Sequence, residues 1–559
     1  MHFQIASAQV PDAGALQQQL QREVEQNQRQ AVPENFLKKP EAAPSKVPAG
    51  KQTILVKEFI FTGITLITQE QAQSAVKNFV NRQLTFAQIQ EAGNAVTELY
   101  SKMGRVATAI VPPQEVKNGV IQIKILEGKV GSVIIDSGSG VDVSRLKPEI
   151  AKGFIAYGNP EGQLVNTDNL ERSLSLINEL PGIAAEGGMS PGTADGTTNI
   201  NVNVKDTSLF NGRVEVSNYG SPSTGVAQAV GNLNLNNALG IGDLGTLDVI
   251  GSEGSVYGTA KYWIPVGYDG FRVGLGASAL NYTGLSSFSS TSSNGSATTV
   301  GAYSSYALER NASATKTVVV NFENRAYQNY SAGVQSSQYT INSVTAGLNG
   351  NNTFGDTTAN WGAMALYGNL NISNAQQLAT DQSALGAQTA GGYGKLNAYV
   401  TVTTPLPIEK TNLQLSANGQ LANRNLNSAD QIYMGGPYAV RAYPVAQGGG
   451  SQGAIASVEI NHQLPSKVQI GAFFDAGLVQ QYVQNWNSTL QGNTNAGNTY
   501  ALYSTGLTGK YNVDNFQLQG ALAFRIGNNP LYNSSGQQLN VDNQYRTVQL
   551  WIKGTYLFK

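Results

Sequence analysis

The chain has 559 residues, which is long enough for two or three domains. Only 13% of the residues are charged, against roughly 25% in average globular proteins, and 35 Lys and Arg balance 36 Asp and Glu. This balance gives no basic surface for nucleic acid. Two His and no Cys exclude thiol nucleophiles and disulfides and argue against a His-rich metal site or a Ser-His-Asp triad, so we expect no enzyme, no cofactor and no metal. No apolar run reaches the roughly 18 residues that a transmembrane helix needs.

The charge is unevenly distributed along the chain. Residues 1–206 carry 40 charged side chains, about 19%, whereas residues 207–559 carry 31, about 9%. The second part also holds 23 of the 25 Tyr and all four Trp. The first part is therefore typical of water-soluble domains, and the second is a different kind of structure.

The first residues, 1–8, end in a small-residue Ala-Ser-Ala pattern that is typical of signal-peptide cleavage. We interpret them as a signal remnant, with maturation before Gln9, which implies export. Residues 31–52 contain four Pro and predict an extended linker.

Residues 9–30 predict a helix with Asp12 as its N-cap. Leu16, Leu20 and Val24 form one apolar stripe on a helix that is otherwise rich in Gln. One narrow stripe is weak core material. Such a helix suits a polar, water-lined channel, and the alternative is a marginal solvated helix.

Two small α+β domains are predicted next, at residues 53–128 and 129–206. The first has the order strand, helix, helix, strand, strand, with Thr68 capping the first helix, and the second repeats this order with a helix over 143–154. Neither contains a catalytic constellation. Their expected use is to offer a groove and a sheet edge to an extended peptide by strand addition.

Residues 207–559 predict many strands, because apolar and polar residues alternate with a period of two in segments such as Arg213–Ser217 and Asn232–Asn236. We place sixteen strands, which begin near residues 211, 226, 243, 257, 271, 300, 315, 337, 361, 391, 411, 454, 467, 500, 514 and 546. A soluble β-sandwich also alternates. Size, low charge and the Tyr and Trp surplus favour a closed transmembrane β-barrel.

The connections between these strands predict the sidedness of the barrel. Long polar inserts at Ser286–Thr299 and Gln480–Asn498 are expected to be extracellular loops, and residues 423–453 form a further long loop. Short connections at Asn461–Lys467 and Asn512–Asp514 are expected to be periplasmic turns.

Three segments, Tyr100–Arg105, Val111–Gln114 and Gly119–Gly128, carry motifs that are similar to the first polypeptide-transport-associated (POTRA) domain of two-partner secretion transporters, the TpsB family. Leu174–Gly182 and Ser190–Gly192 resemble its second POTRA domain. The family includes transporters of filamentous haemagglutinin, haemolysins and contact-dependent inhibition toxins.

Two barrel motifs extend this resemblance over nearly the whole chain. Gly435–Pro444 resembles the arginine motif of the family's long sixth extracellular loop, and Phe473–Gly477 resembles its F-x-D-x-G strand motif. The resemblance implies an outer-membrane barrel of 16 antiparallel strands, two periplasmic α+β POTRA domains and an N-terminal helix that plugs the pore.

The resemblance also implies site residues and partners. The loop would lie in the lumen at 423–453, with Arg441 meeting Asp475 and Glu459 as a possible second acceptor. The remaining motif residues are Pro113, Gln114, Glu127 and Gly128 in the first POTRA domain, Val440, Ala442, Tyr443 and Pro444 in the loop, and Phe473 and Gly477 in the strand.

The implied function is export, without ATP, of a large partner exoprotein that carries an N-terminal secretion domain. This partner is an adhesin, a haemolysin or a contact-dependent toxin. Outer-membrane lipid and the barrel-assembly machinery are the other implied partners, and the chain ends in the aromatic residue Phe558 followed by Lys559.

Three alternatives stay open from the sequence. An outer-membrane assembly insertase of the same superfamily shares the arginine-loop motif but usually has more POTRA domains. A passive porin would need neither periplasmic domains nor a plug. An outer-membrane phospholipase would need a Ser-His pair, and His462 is the only His after residue 8.

Overall fold

The fold is taken from a computed structural model of the chain, which describes residues 12–26, 52–138, 143–289, 291–384, 386–484, 497–528, 540–541 and 545–559. The predicted signal remnant at 1–8 and the linker up to residue 51 lie outside the described residues, as does the predicted helix beyond Gln26. The helix α1 spans Ala13–Gln26. Asp12 caps it, accepting a hydrogen bond from the N–H of Ala15 at 2.9 Å.

The first α+β domain packs two helices on a three-stranded sheet of order β2-β5-β4. Its elements are β1 (Thr53–Val56), β2 (Glu58–Thr62), α2 (Gln69–Val76), β3 (Arg82–Thr85), α3 (Phe86–Lys102), β4 (Ala107–Ile110) and β5 (Val120–Glu127). Capping boxes at Thr68 and Thr85 begin the two helices. A separate two-stranded sheet, β1-β3, is an addition that the sequence analysis did not predict.

The second α+β domain repeats the arrangement with the sheet order β6-β8-β7. Its elements are β6 (Lys129–Asp136), α4 (Pro148–Gly158), α5 (Thr167–Asn178), β7 (Ile183–Pro191) and β8 (Thr197–Asp206). The helix predicted over 143–154 is wrong in position, since α4 begins at Pro148. Proline disfavours helical backbone at the residue before it and is well suited to the first helical position.

Sixteen antiparallel strands then close a barrel, which confirms the predicted fold and strand number. They are β9 (Phe210–Ser217), β10 (Gln228–Asn236), β11 (Leu244–Ser252), β12 (Ser255–Val266), β13 (Phe271–Thr283), β14 (Ser293–Asn311), β15 (Ala314–Ser331), β16 (Val334–Phe354), β17 (Thr357–Ile372), β18 (Gly391–Pro405), β19 (Thr411–Ala422), β22 (Gln452–Gln463), β23 (Val468–Gln480), β24 (Thr499–Val513), β25 (Phe516–Ile526) and β26 (Val548–Phe558). Between β19 and β22 lie two short strands, β20 (Ile432–Tyr433) and β21 (Gly449–Gly450), which pair with each other. A helix, α6 (Ala375–Gln382), follows β17.

The barrel has a domain end, from which β9 rises directly after β8, and a far end. The long connection between β19 and β22, which we call the sixth loop, lies at the far end because β19 is the eleventh barrel strand. The predicted loop at Ser286–Thr299 is shorter than expected, because β14 already begins at Ser293. Residues 485–496 of the predicted loop Gln480–Asn498 lie outside the described part of the chain.

Helix α5 fixes the second domain to the barrel. Arg172 donates from Nη2 to the carbonyl oxygens of Asp269 (2.9 Å) and Ala307, which lie at the domain end. The N–H of Ala312 donates to a carboxylate oxygen of Glu171 at 2.8 Å. These hydrogen bonds therefore hold the second domain against this end of the barrel. None of the described helices is both long and apolar enough to span a membrane.

Candidate functional site

The sixth loop enters the lumen, where Arg441 meets Asp475 on β23. Nε and Nη2 of Arg441 lie 3.0 and 2.8 Å from the two carboxylate oxygens, and the backbone N–H of Arg441 donates to the same carboxylate at 3.1 Å. The hydroxyls of Ser457 and Ser504 also donate to it, each at 2.8 Å. Asp475 has no exposed surface, so this charge is held entirely by its partners.

The guanidinium of Arg441 has two further contacts. Nη1 donates to Glu459 on β22 at 2.7 Å, so the sequence-predicted second acceptor lies in contact. The plane of the guanidinium lies over the ring of Phe473, 3.4 Å from its centroid. Along β23, Phe473, Asp475 and Gly477 are buried while Phe474 is 44% exposed, as strand alternation requires.

The other loop-motif residues pack around this pair. Val440, Ala442, Tyr443 and Pro444 are all buried. A Cβ on Gly477 would lie 2.8 Å from a methyl carbon of Val440, so glycine is needed for the loop to approach the wall. Tyr443 forms a cation–π contact with Arg525 on β25, whose guanidinium lies 4.4 Å from the ring centroid.

The final strand also holds the loop, through a residue that the sequence analysis did not select. The indole N–H of Trp551 on β26 donates to the backbone carbonyl of Arg441 at 2.7 Å. Trp551 is buried. A lone Trp in a strand that already carries girdle aromatics gives no sequence signal for this contact.

A second buried ion-pair cluster lies at the start of the sixth loop. Asp430 ends a 3-10 turn, Ser428–Asp430, and its carboxylate lies 3.0 Å from Arg325 of β15 and 2.9 Å from Lys395 of β18. The hydroxyl of Tyr393 donates to the same carboxylate. The only sequence signal was the scarcity of charge in the barrel, which makes each inward-facing charge a candidate for function.

Helix α1 lies inside the barrel. Leu16, Leu20 and Val24 are buried in one cluster with inward-facing residues of β10 to β18. Burying such side chains contributes about 1.5–3 kcal/mol each. The N–H of Ala13 donates to Asn329 of β15 at 2.8 Å, two residues from the far end of that strand.

The N-terminal end of α1 rests on the sixth loop. The hydroxyl of Ser428 donates to Asp12 at 2.6 Å. A Cβ on Gly14 would lie 2.6 Å from the hydroxyl of Tyr339 and 2.8 Å from Cβ of Ala429. The helix therefore packs directly on the turn that the Asp430 cluster holds.

The motif residues of the first α+β domain make contacts that hold the fold of that domain together. Glu127 accepts hydrogen bonds from the N–H groups of Thr65 (2.6 Å) and Leu66 (3.0 Å), from the Thr65 hydroxyl, and from the Tyr100 hydroxyl at 2.7 Å. Burial raises the pKa of Glu127, but these bonds outweigh it and hold the pKa below its ordinary value. Burial and the Glu127 carboxylate raise the pKa of Tyr100, so its hydroxyl stays a donor.

The other three motif residues complete the sheet and join the domains. The side chain of Gln114 pairs with the backbone of Gln122 on β5, at 2.7 Å in both directions, and so prolongs the pairing of β4 after Pro113. Gly128 bonds to Val106 through its N–H (2.8 Å) and accepts from Val165 of the second domain (2.9 Å). Among the described residues, no group of three or more metal-ligating side chains comes together.

The chain is similar to known secretion proteins over most of its length. The family model described as haemolysin secretion/activation protein ShlB/FhaC/HecB matches residues 196–509, and the model of the ShlB-type POTRA domain matches residues 54–128. The heme/hemopexin transporter protein HuxB of Haemophilus influenzae is 26% identical over 491 residues, which is 84% of each chain. The outer membrane transporter CdiB of Dickeya dadantii (strain 3937) is 24% identical over 473 residues, 82% of this chain and 81% of the relative.

Solved structures share the fold. CdiB from Escherichia coli superimposes with a TM-score of 0.72 at 19% identity, covering 99% of this chain and all of that one. BamA from Haemophilus ducreyi, lacking POTRA domains 1–3, gives a TM-score of 0.54 at 11% identity, with 90% of this chain and all of that one covered. The chain therefore belongs to the ShlB/FhaC/HecB family of haemolysin secretion/activation proteins, and is an outer-membrane transporter of two-partner secretion whose POTRA domains lie in the periplasm.

Proposed function

We propose that this transporter exports one large exoprotein through the barrel lumen, with α1 as a plug and the sixth loop locked to the wall by Arg441. The observation that carries the proposal is the filled lumen, in which α1 covers one wall and the sixth loop covers the other. An extended chain cannot share this space with α1. Export therefore requires that α1 leave while the two α+β domains stay anchored.

The partner is recognised by strand addition at the first POTRA domain. Among the described strands, β4 pairs with β5 alone, through Val106, Thr108 and Ile110, so the N–H groups of Ala107 and Ala109 face the open edge. Those groups are a template for an extended segment of the exoprotein. Helix α3 packs closely here, since a Cβ on Gly93 would lie 2.8 Å from Cβ of Ala109.

The equivalent edge of the second domain is already occupied. The side chain of Asn178 bonds to both the N–H (2.9 Å) and the carbonyl (2.8 Å) of Ala185 on β7, on the side that faces away from β8. Pro191 lacks an N–H further along that strand. We therefore assign strand addition to β4 and an anchoring role to the second domain.

The cargo is an adhesin, a haemolysin or a contact-dependent toxin with an N-terminal secretion domain. Energy for export comes from binding in the periplasm and folding outside the cell, without ATP. The barrel-assembly machinery inserts the transporter, reading the aromatic end of β26 at Phe558. The match to the family of haemolysin secretion/activation proteins supports protein export as the task.

Two measurements test this proposal. Co-expression with candidate exoproteins from neighbouring reading frames should make the cognate partner appear in the medium, and only when the transporter is present. Loss of unrelated outer-membrane barrels on deletion of the gene would instead indicate an assembly insertase. Deleting residues 12–30 should raise single-channel conductance in a planar bilayer, and an unchanged conductance would contradict the plug.

A further inference from the structure

An apolar row runs across seven strands of the lumen wall. Its members are successive cross-strand partners, so they stand side by side on the inward face of the sheet. This lumenal row consists of Val230, Ile250, Tyr257, Leu280, Ala297, Tyr327 and Tyr339. All seven are buried, none with more than 3% of its surface exposed.

From β10 to β15 the neighbouring inward-facing rows on both sides are mostly polar, with Tyr282 and Gly295 as the exceptions, and beyond Arg325 the domain-side row continues with the apolar Ile341. The row on the domain side consists of Asn232, Asp248, Thr259, Ser278, Thr299 and Arg325. The row on the far side consists of Gln228, Ser252, Ser255, Tyr282, Gly295 and Asn329. A polar lumen is normal for an outer-membrane barrel, and an apolar row exposed to a water-filled lumen would be unfavourable, so this row requires another element to cover it.

Helix α1 lies along this row and covers it. Its N-terminal end contacts β15 and β16 through Ala13 and Gly14, and Gln17 bonds to Ser278 (3.3 Å) and Thr299 (2.9 Å) on β13 and β14. The apolar stripe of α1 packs on the row itself. The helix thus uses the apolar row for its stripe and a polar row for Gln17.

When α1 leaves, the row is exposed to water at a free-energy cost that a replacement would remove. We infer that the lumenal row is a binding track for the exoprotein in transit, which takes an extended segment with apolar side chains at every second position. This inference rests on the proposed function. It goes further in naming the surface on which the helix and the exoprotein compete.

The two polar rows favour an extended peptide as the occupant. An extended chain has N–H and C=O groups that must find partners, whereas the backbone of α1 is satisfied internally. The hydroxyls of Thr259, Ser278 and Thr299 flank the apolar row on one side, and the hydroxyl of Ser255 flanks it on the other. Each of these residues lies two positions along its strand from the row, about 7 Å away. One face of a strand would then meet the row, while its backbone meets the hydroxyls.

The test uses the full chain lacking only residues 12–26, reconstituted in a planar bilayer. The probe is a 20-residue peptide in which valine alternates with serine, with a lysine at each end, and its companion has serine throughout. The row variant is Tyr257→Asn with Leu280→Asn. The matched control is Asn234→Gln with Thr246→Asn, cross-strand partners on the same inward face that lie one inward position beyond the domain-side row and outside all three rows. Heat-modifiable mobility on a gel confirms that each barrel is folded.

We expect the valine peptide to block the open channel, and its dwell time to fall at least tenfold in the row variant but less than twofold in the control. The serine peptide should give short blockades in all channels. Equal dwell times in the two variants, in a channel that opens on deletion, would contradict the track alone. A channel that stays closed without residues 12–26 would contradict the plug and the track together, because the row would then have another cover.

Discussion

Asp430 and Arg325 form a buried ion pair, 3.0 Å long, between the start of the sixth loop and β15. Lys395 of β18 shares the carboxylate. The loop therefore has two anchors on different parts of the wall, since Arg441 binds β22 and β23 further along the same loop. Because α1 packs on the Ser428–Asp430 turn, the ion pair of Asp430 also holds in place the turn that contacts the helix.

The Asp430 anchor predicts that Asp430→Asn loosens α1. The substitution leaves Arg325 and Lys395 without their buried counter-ion, and removing one partner of such a pair is strongly destabilising locally. We expect more frequent and larger channel openings, while the barrel still inserts. Glu409→Gln is the control, because Glu409 is an exposed carboxylate at a turn. If the channel of the Asp430→Asn variant stays closed, the position of α1 in the lumen does not depend on this ion pair.

The Arg441 lock predicts that even lysine fails at this position. Lysine keeps the charge but cannot bind Asp475 through two nitrogens and stack on Phe473 at the same time. We expect Arg441→Ala to reduce the exoprotein in the medium at least tenfold per inserted barrel, and Arg441→Lys to restore little of it. Arg424→Lys, in the same loop, should secrete normally, because the partners of Arg424 among the described residues are the backbone carbonyls of Gln388 and Gly392, which lysine can also reach. Normal secretion by Arg441→Ala would refute the lock.

The contact between α1 and the loop predicts a disulfide that keeps the channel shut. The natural chain has no Cys, so Asp12→Cys with Ser428→Cys introduces a unique pair at two positions whose side chains are in direct contact, with the Ser428 hydroxyl 2.6 Å from the Asp12 carboxylate. Under oxidation we expect no secretion and no large conductance, and reductant should restore both. Glu25→Cys with Ser428→Cys is the control, since Glu25 lies about 20 Å further along the helix than Asp12. Secretion through the oxidised first pair would mean that α1 can stay in place during export.

The lowered pKa of Glu127 predicts a pH effect confined to one loop. A group whose pKa is lower in the folded state stabilises that state above its ordinary pKa, about 4.3 for glutamate, and this contribution is lost as the pH falls through the lowered value. We expect the amide protons of Thr65 and Leu66 to lose hydrogen-exchange protection on acidification. The amide of Gln88, which donates to Thr85 at the start of α3, should not follow the same titration. Glu127→Gln should remove the pH dependence, and its persistence would assign the effect to another group.

The sequence predicted the barrel well because inward and outward positions alternate in every strand. Fifteen of the sixteen strands begin within four residues of the expected positions, and β14 begins seven residues early, at Ser293. That strand is rich in Ser, Asn and Gly where it rises beyond the apolar band, so it resembles a loop by composition. Pairing with β13 and β15 decides its true start.

The lumen was harder to predict, because its contacts join residues far apart in the chain. Family motifs located Arg441 and Asp475, and Glu459 was a possible second acceptor because of its place on the preceding strand, but nothing local distinguishes Asp430 from the other acids of the barrel. Its partners come from β15 and β18, which only the closed register brings together. The role of Trp551 was missed for the same reason, since its partner is a backbone carbonyl 110 residues away.

The geometry of the lumenal row sets a length scale for transport. Seven adjacent strands at about 4.8 Å spacing span about 29 Å, and an extended chain covers that length with about nine residues. The track would therefore hold a window of about nine residues at a time, and each advance by two residues would return an apolar side chain to every position along it. A cargo built of regularly alternating strands would move along such a surface in equal steps of two residues. A continuous stretch of charged residues would not bind the apolar row and would pass without such steps.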